Sequence, residues 1–152
     1  MITYHNGDLL ESGCDWICHQ CNLQSIFGGG IAYQIAQKYK GVEEFCKRVG
    51  AEYVGDFIPY VDKATGQTIV NCYSQEPNFD TNYEAIKGIF TDIRNDLITN
   101  INLQPRVPVK VGVPFKYGCG IANGDLEKVE QIFKDIFENE EKIDFQIWKL
   151  EA

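Results

Sequence analysis

The chain has 152 residues, 44% of them hydrophobic and 24% charged. A chain of about 150 residues buries roughly two-thirds of the surface it exposes when unfolded, so residues 1–152 are read as a single domain with one core. Fourteen basic residues against 22 acidic ones leave a net charge of −8, which opposes general binding to nucleic-acid backbones and to anionic lipid surfaces.

The opening MITYHNGDLLESG has no basic segment followed by an apolar run, and no stretch approaches about 18 uninterrupted apolar residues. Neither secretion nor a membrane span is expected. The six cysteines (Cys14, Cys18, Cys21, Cys46, Cys72 and Cys119) are read as reduced thiols of a cytoplasmic protein, since a chain with an ordinary core needs no disulfide staples.

Short β-like runs alternate with longer segments of helical period, the pattern of an α/β sandwich. The first strand is predicted over Ile2 to His5. The loop Asn6-Gly7-Asp8-Leu9 follows, where the Asp8 carboxylate can accept from an amine or cap a turn. A second strand, Asp15 to His19, runs into Cys18-His19-Gln20-Cys21-Asn22. Asn22 and His19 are compact polar groups suited to orienting a ribose hydroxyl or a water, and histidine titrates near neutrality. A hydrogen-bonded core or loop role for His19 is the alternative. Cys14, Cys18, His19 and Cys21 invite a zinc reading, but this C-x3-C-x2-C spacing has no second paired cluster nearby. No metal and no cofactor is expected.

Gly28-Gly29-Gly30 precedes a helix from about Gly30 to Tyr39, with an extension through Glu43 to Arg48, and with Ile31, Ile35, Ala36 and Tyr39 on one face. Three glycines let backbone approach a ligand, and the free N–H groups of a helix start favour phosphate. A tight turn without a ligand explains the triplet equally well. Ala32 and Tyr33 follow, so the G-x-G-x-x-G fingerprint of an ordinary Rossmann dinucleotide site is missing.

Strands Val54 to Val61 and Thr68 to Tyr73 come next. Thr81-Asn82-Tyr83-Glu84 is a capping-box pattern opening a second helix, with Ile86, Ile89, Phe90, Ile93 and Leu97 as its buried stripe. Strand Val107 to Pro114 leads into Lys116-Tyr117-Gly118-Cys119-Gly120-Ile121, a second glycine loop able to wrap N–H groups around phosphate. Two such loops suggest a diphosphate held between them, the alternative being two unrelated turns. A thiol in such a loop can have a lowered pKa, yet no histidine is near Cys119 in sequence. The third helix begins near Asn123 to Asp125 and turns Val129, Ile132, Phe133, Ile136 and Phe137 inward, with Asp125 and Glu127 at the positive end of its dipole. The last strand, Asp144 to Lys149, carries Trp148, which can stack on a purine or pack in the core.

These pieces, in this order, resemble the macro domain, the ADP-ribose-binding α/β/α fold. The matching elements are Gly7-Asp8-Leu9, Asn22 placed six positions before Gly28-Gly29-Gly30-Ile31-Ala32, and the late loop Gly118-Cys119-Gly120-Ile121. The resemblance runs from the first strand to Trp148. His19-Gln20-Cys21-Asn22 with Gly28 to Gln34 looks most like the ADP-ribose-1''-phosphate phosphatase branch and its phage and bacterial relatives.

The resemblance implies a three-layer α/β/α sandwich with a mixed central sheet. It implies that Asp8 reads the adenine amine near the backbone of Leu9, that Asn22 meets the distal ribose and that Trp148 lies beside adenine. Gly28, Gly29, Gly30 and Ile31, with Tyr117, Gly118, Cys119, Gly120 and Ile121, would hold the diphosphate and the distal phosphate. The late loop also looks like that of the terminal ADP-ribose protein glycohydrolase, which uses a lysine and an aspartate. Gln75 and Ala122 stand at those two positions here; a glutamine cannot form the lysyl adduct and an alanine cannot act as a base.

The expected function is binding of ADP-ribose with hydrolysis of the terminal phosphate of ADP-ribose-1''-phosphate. Asn22 and His19 would position or activate water, His19 being the first choice for acid–base work and Asp125 the second. The alternatives are mono-ADP-ribosyl hydrolysis or O-acetyl-ADP-ribose deacetylation, a non-catalytic reader or scavenger, and a thiol enzyme using Cys119. The expected partners are small-molecule ADP-ribose derivatives, bound by a monomer.

Overall fold

Runs rich in Val, Ile and aromatic residues build six strands: β1 (Ile2–Asn6), β2 (Trp16–Gln20), β3 (Phe57–Val61), β4 (Thr68–Cys72), β5 (Val109–Pro114) and β6 (Ile143–Lys149). The computed structural model describes residues 1–25, 27, 29–78, 80–119 and 122–150. Four α-helices connect the strands: α1 (Gly30–Lys38), α2 (Val42–Val49), α3 (Tyr83–Thr99) and α4 (Leu126–Phe137). The sheet order is β1-β6-β5-β2-β4-β3, with β3 antiparallel to β4 and every other pairing parallel. The sheet is therefore mixed, with its one antiparallel strand at an edge.

Each face of the sheet carries its own apolar layer. On one face α3 supplies Ile86, Ile89, Phe90, Ile93 and Leu97 and α4 supplies Val129, Phe133 and Phe137, all packed on Val111, Val113, Phe145 and Ile147 of the strands. Phe137 stacks on Phe145 with centroids 4.2 Å apart, and Phe90 meets Phe133 edge-on at 4.9 Å. On the other face Ile35 of α1 and Val42 and Cys46 of α2 pack with Leu9, Leu10, Ile17 and Ile69. The α/β/α sandwich expected from the sequence is the observed architecture. Ile132 and Ile136 are only half-buried beside the first layer.

Several element boundaries differ from the sequence reading, and four of the differences have a local reason. The first helix is two, because Gly41 turns the chain at a left-handed φ of +96° where a Cβ would stand 3.1 Å from the Tyr60 hydroxyl. Strand β3 starts at Phe57 and not at Val54, since the Asp56 carboxylate holds a turn by accepting from the backbone N–H groups of Glu52 and Tyr53. Strand β5 starts at Val109, after Pro108, which has no N–H to give to the ladder. Asn82, not Thr81, caps α3, its Oδ1 accepting from the Ala85 N–H at 2.9 Å. No helix among the described residues is long and apolar enough to cross a membrane.

The connections define where a site can form. Strands β2 and β5 are neighbours, yet the chain leaves β2 for α1 on one face and leaves β5 for α4 on the other. A crevice opens where adjacent parallel strands send their connections to opposite sides.

Candidate functional site

A two-lobed cleft occupies this switch point. Gly30 and Ile31, at the start of α1, face Pro114 and Lys116, at the end of β5, and these four residues belong to both lobes. The first lobe, about 460 Å³, is walled by Gly7, Asp8, Leu9, Phe115, Trp148 and Lys149. The second, about 670 Å³, is walled by Gln20, Cys21, Asn22, Gln75, Tyr117, Gly118 and Ala122.

In the first lobe a polar chain across β1 and β6 fixes the indole of Trp148. Its Nε1–H donates to Gln146 Oε1 at 2.8 Å, and Gln146 Nε2 donates to Asp144 Oδ2 at 2.7 Å. The Thr3 hydroxyl donates its one proton to Asp144 Oδ1 at 2.8 Å, so the contact of 2.8 Å between Thr3 Oγ1 and His5 Nε2 makes the imidazole the donor. Asp8 caps the 3-10 turn Leu9–Glu11, its Oδ1 accepting from the Leu10 N–H at 2.9 Å, which holds the carboxylate at the rim of the lobe.

Asn22, in the wall of the second lobe, accepts from the Gln24 N–H through Oδ1 at 3.0 Å, which leaves its amide Nδ2 as a donor. The late loop is pinned from below. Gly118, at φ +69°, offers its carbonyl to the Gly124 N–H at 2.9 Å and to the Thr81 hydroxyl at 2.5 Å. Gln20 Nε2 reaches the Ser74 hydroxyl at 3.0 Å, and Ser74 meets the Tyr117 hydroxyl at 2.8 Å. Burial pushes the Tyr117 phenol and the Cys21 thiol well above their ordinary ranges, so both stay protonated.

Of the residues singled out in the sequence, Asp8, Leu9, Asn22, Gly29, Gly30, Ile31, Tyr117, Gly118 and Trp148 meet at this cleft. Gly28, Gly120 and Ile121 lie outside the described residues. His19 is fully buried beneath the cleft and is not part of its wall. It shares a 2.8 Å hydrogen bond with Asn71 Oδ1, and desolvation lowers its pKa to about 4, so it is a neutral core imidazole at neutral pH. Asp125 caps α4, accepting from the Glu127 N–H at 2.9 Å and the Lys128 N–H at 3.3 Å, and lines neither lobe. Cys119 also stands outside the cleft wall, and burial together with the Asp125 carboxylate raises its thiol pKa.

Two cations were given no role in the sequence reading. Lys116 sits where the lobes join, and Lys149 lines the first lobe with its Nζ 5.0 Å from the Phe115 ring centre. Their signal was positional: Lys149 closes β6 and Lys116 lies two residues beyond the end of β5, at the C-terminal side of the parallel strands. Among the described residues no group of three or more His, Cys, Asp and Glu is arranged to hold a metal.

No family model matches the sequence. Over 77 residues, 47% of this chain, it is 32% identical to the ADP-ribose 1''-phosphate phosphatase of Saccharomyces cerevisiae (strain YJM789), and the match spans 44% of that relative's length. The structure superposes on the macrodomain of Mycobacterium tuberculosis DarG with a TM-score of 0.80, covering 97% of each chain at 24% identity. This is the macrodomain fold. Thermosipho africanus DarTG, solved in complex with ADP-ribose, matches 94% of this chain over 40% of its own, with a TM-score of 0.74 at 16% identity. The resemblance carried by Gly7-Asp8-Leu9, Asn22 and the glycine loops thus corresponds to a shared macrodomain fold.

Within this macrodomain fold, Gln75 and Ala122 both line the second lobe. Among the described residues that lobe has no Asp, Glu or His in its wall. Its chemistry is that of hydrogen-bond donors, a helix start and one ammonium, a set suited to holding an anion.

Proposed function

We propose that this protein binds ADP-ribose in the two-lobed cleft and hydrolyses the terminal phosphate of ADP-ribose-1''-phosphate. The observation that carries the reading is the make-up of the cleft: an aromatic lobe with a carboxylate at its rim joins a larger lobe at a waist formed by the shared residues Gly30, Ile31, Pro114 and Lys116. Adenine fits the first lobe, beside the Trp148 ring, with its amine donating to Asp8. The diphosphate crosses the waist over the first N–H groups of α1, and the Asn22 Nδ2 donates to the distal ribose.

Phosphoryl transfer is catalysed chiefly by positioning and charge stabilisation, so the late loop and Asn22 are the groups assigned to it. His19 is not, because it is enclosed and neutral. The phosphatase named among the relatives supports this choice of substrate. Removal of ADP-ribose by a lysine and an aspartate is not supported, since Gln75 and Ala122 occupy that lobe.

A non-catalytic reader of ADP-ribose is the second reading, favoured by the lack of Asp, Glu and His in the described wall of the second lobe. Calorimetric titration with ADP-ribose, followed by assay of phosphate release from ADP-ribose-1''-phosphate, separates the two. Binding with release supports the phosphatase; binding without release above a blank leaves the reader; no binding removes both.

A further inference from the structure

We propose that Lys116 is the residue that selects a diphosphate-bearing ligand over a bare nucleoside, by placing its ammonium across the waist from the start of α1. The inference rests on the reading of the cleft as an ADP-ribose site and assigns that site a side chain of its own.

Three observations converge. Lys116 is one of the four residues shared by both lobes, so whatever joins a purine in one to a ribose in the other passes beside it. Opposite it stand Gly30 and Ile31, whose N–H groups belong to the first turn of a nine-residue helix and have no carbonyl partner within it. The waist therefore has positive character on both sides in a chain whose net charge is −8.

Lys116 is also not committed to an acid. Among the described residues the ion pairs engage Lys38, Lys47, Arg94 and Arg106, and no carboxylate lies within 4 Å of the Lys116 ammonium. A helix start alone offers partial charge and a fixed direction; an ammonium on a four-carbon stem adds a full, movable charge that can follow two phosphates. The first lobe needs neither for adenine, which is neutral. Selection for the diphosphate thus separates from recognition of the base.

The test uses the full chain, the substitution Lys116→Gln and, as a control for net charge, Lys142→Gln at the opposite end of the sheet. Each is titrated calorimetrically with ADP-ribose, adenosine and inorganic pyrophosphate, at low and at physiological salt. Lys116→Gln is expected to weaken ADP-ribose and pyrophosphate on the order of tenfold, to flatten the salt dependence and to leave adenosine unchanged. Lys142→Gln is expected to behave as the parent protein. Equal ADP-ribose affinities for the two variants overturn the proposal while the reading of the cleft stands. Pyrophosphate binding that depends on Lys116, in a protein that binds neither ADP-ribose nor adenosine, supports the anion site and overturns the ADP-ribose reading. Failure of all three ligands to bind the parent protein overturns both.

Discussion

The imidazole of His5 lies flat against the indole of Trp148, ring centres 4.7 Å apart and planes 11° from parallel. The two residues are direct partners across the β1/β6 ladder, so the stack follows from strand register. With its edge tied to Gln146 and one ring face covered by His5, the indole reaches the first lobe as a preset surface. Replacing Trp148 by Ala should weaken ADP-ribose by roughly five- to 150-fold, from a stacking contribution of about 1–3 kcal/mol per base. Tryptophan fluorescence gives an independent check: ADP-ribose should change the emission of the parent protein and leave that of Trp148→Ala, which retains only Trp16 at the start of β2, unaltered. An unaltered affinity would remove Trp148 from purine binding.

Gly7 is the other constraint on that surface. It adopts φ +135°, and a Cβ there would stand 3.2 Å from the Trp148 ring. Gly7→Ala combines a strained backbone with pressure on the indole, so thermal stability and ADP-ribose affinity should both fall, the first by about 1–3 kcal/mol. Intact affinity in a stable variant would show that the indole can move without cost to the ligand.

Thr81 ties the late loop to the rest of the fold through its hydrogen bond of 2.5 Å to the Gly118 carbonyl. Thr81→Val keeps the shape and removes that donor, leaving the carbonyl with the Gly124 N–H. The expected result is a loss of about 1 kcal/mol in stability, measured by urea unfolding, with a larger fractional effect on phosphate release than on adenosine binding. Equal effects on both ligands would indicate a general loosening and not a loop effect.

Strand and helix order was legible because the β-like runs and the Ile86–Leu97 stripe are long and strongly patterned. The boundaries were less so, since Asp56, Gly41 and Asn82 act through single turns whose geometry leaves no periodic trace. At the site, Asp8, Asn22 and Trp148 were legible as polar or aromatic residues at strand ends. His19 closes the predicted second strand, but its surroundings were not legible: it pairs with Asn71 on β4 and is enclosed in the core, while Gln20 and Asn22, further along the chain, reach the crevice. Lys116 was read only as the first residue of the second glycine loop, and its side chain was given no part; only the joining of two lobes at its position gives it meaning.

Asp125 separates a structural from a catalytic carboxylate. Both hydrogen bonds of its carboxylate come from the first N–H groups of α4, outside the cleft wall. Asp125→Ala should cost about 1 kcal/mol in stability, the ordinary value of an N-cap, and leave the rate of phosphate release from ADP-ribose-1''-phosphate unchanged below the unfolding transition. A large fall in that rate with normal ADP-ribose binding would return Asp125 to the catalytic group.

His19 predicts a pH dependence of stability whose sign follows from its enclosure. Its pKa falls from 6.5 to about 4 in the folded chain because burial disfavours the imidazolium, and the hydrogen bond to Asn71 opposes this only in part. Above pH 6.5 the imidazole is neutral in both states and exerts no penalty. As pH falls from 6.5 towards 4 the unfolded chain takes up a proton that the folded chain refuses, so stability declines across that window and the decline levels off below it. The full effect is about 3 kcal/mol. His19→Gln, which keeps an N–H donor for Asn71 and removes the titration, should therefore be less stable than the parent at neutral pH but lose less stability on acidification. Urea midpoints at several pH values between 7 and 4 measure the difference between the two proteins, which cancels titrations they share. Parallel pH profiles would show that the imidazole takes up its proton as readily in the fold as in the unfolded chain, and would reopen its place in proton transfer.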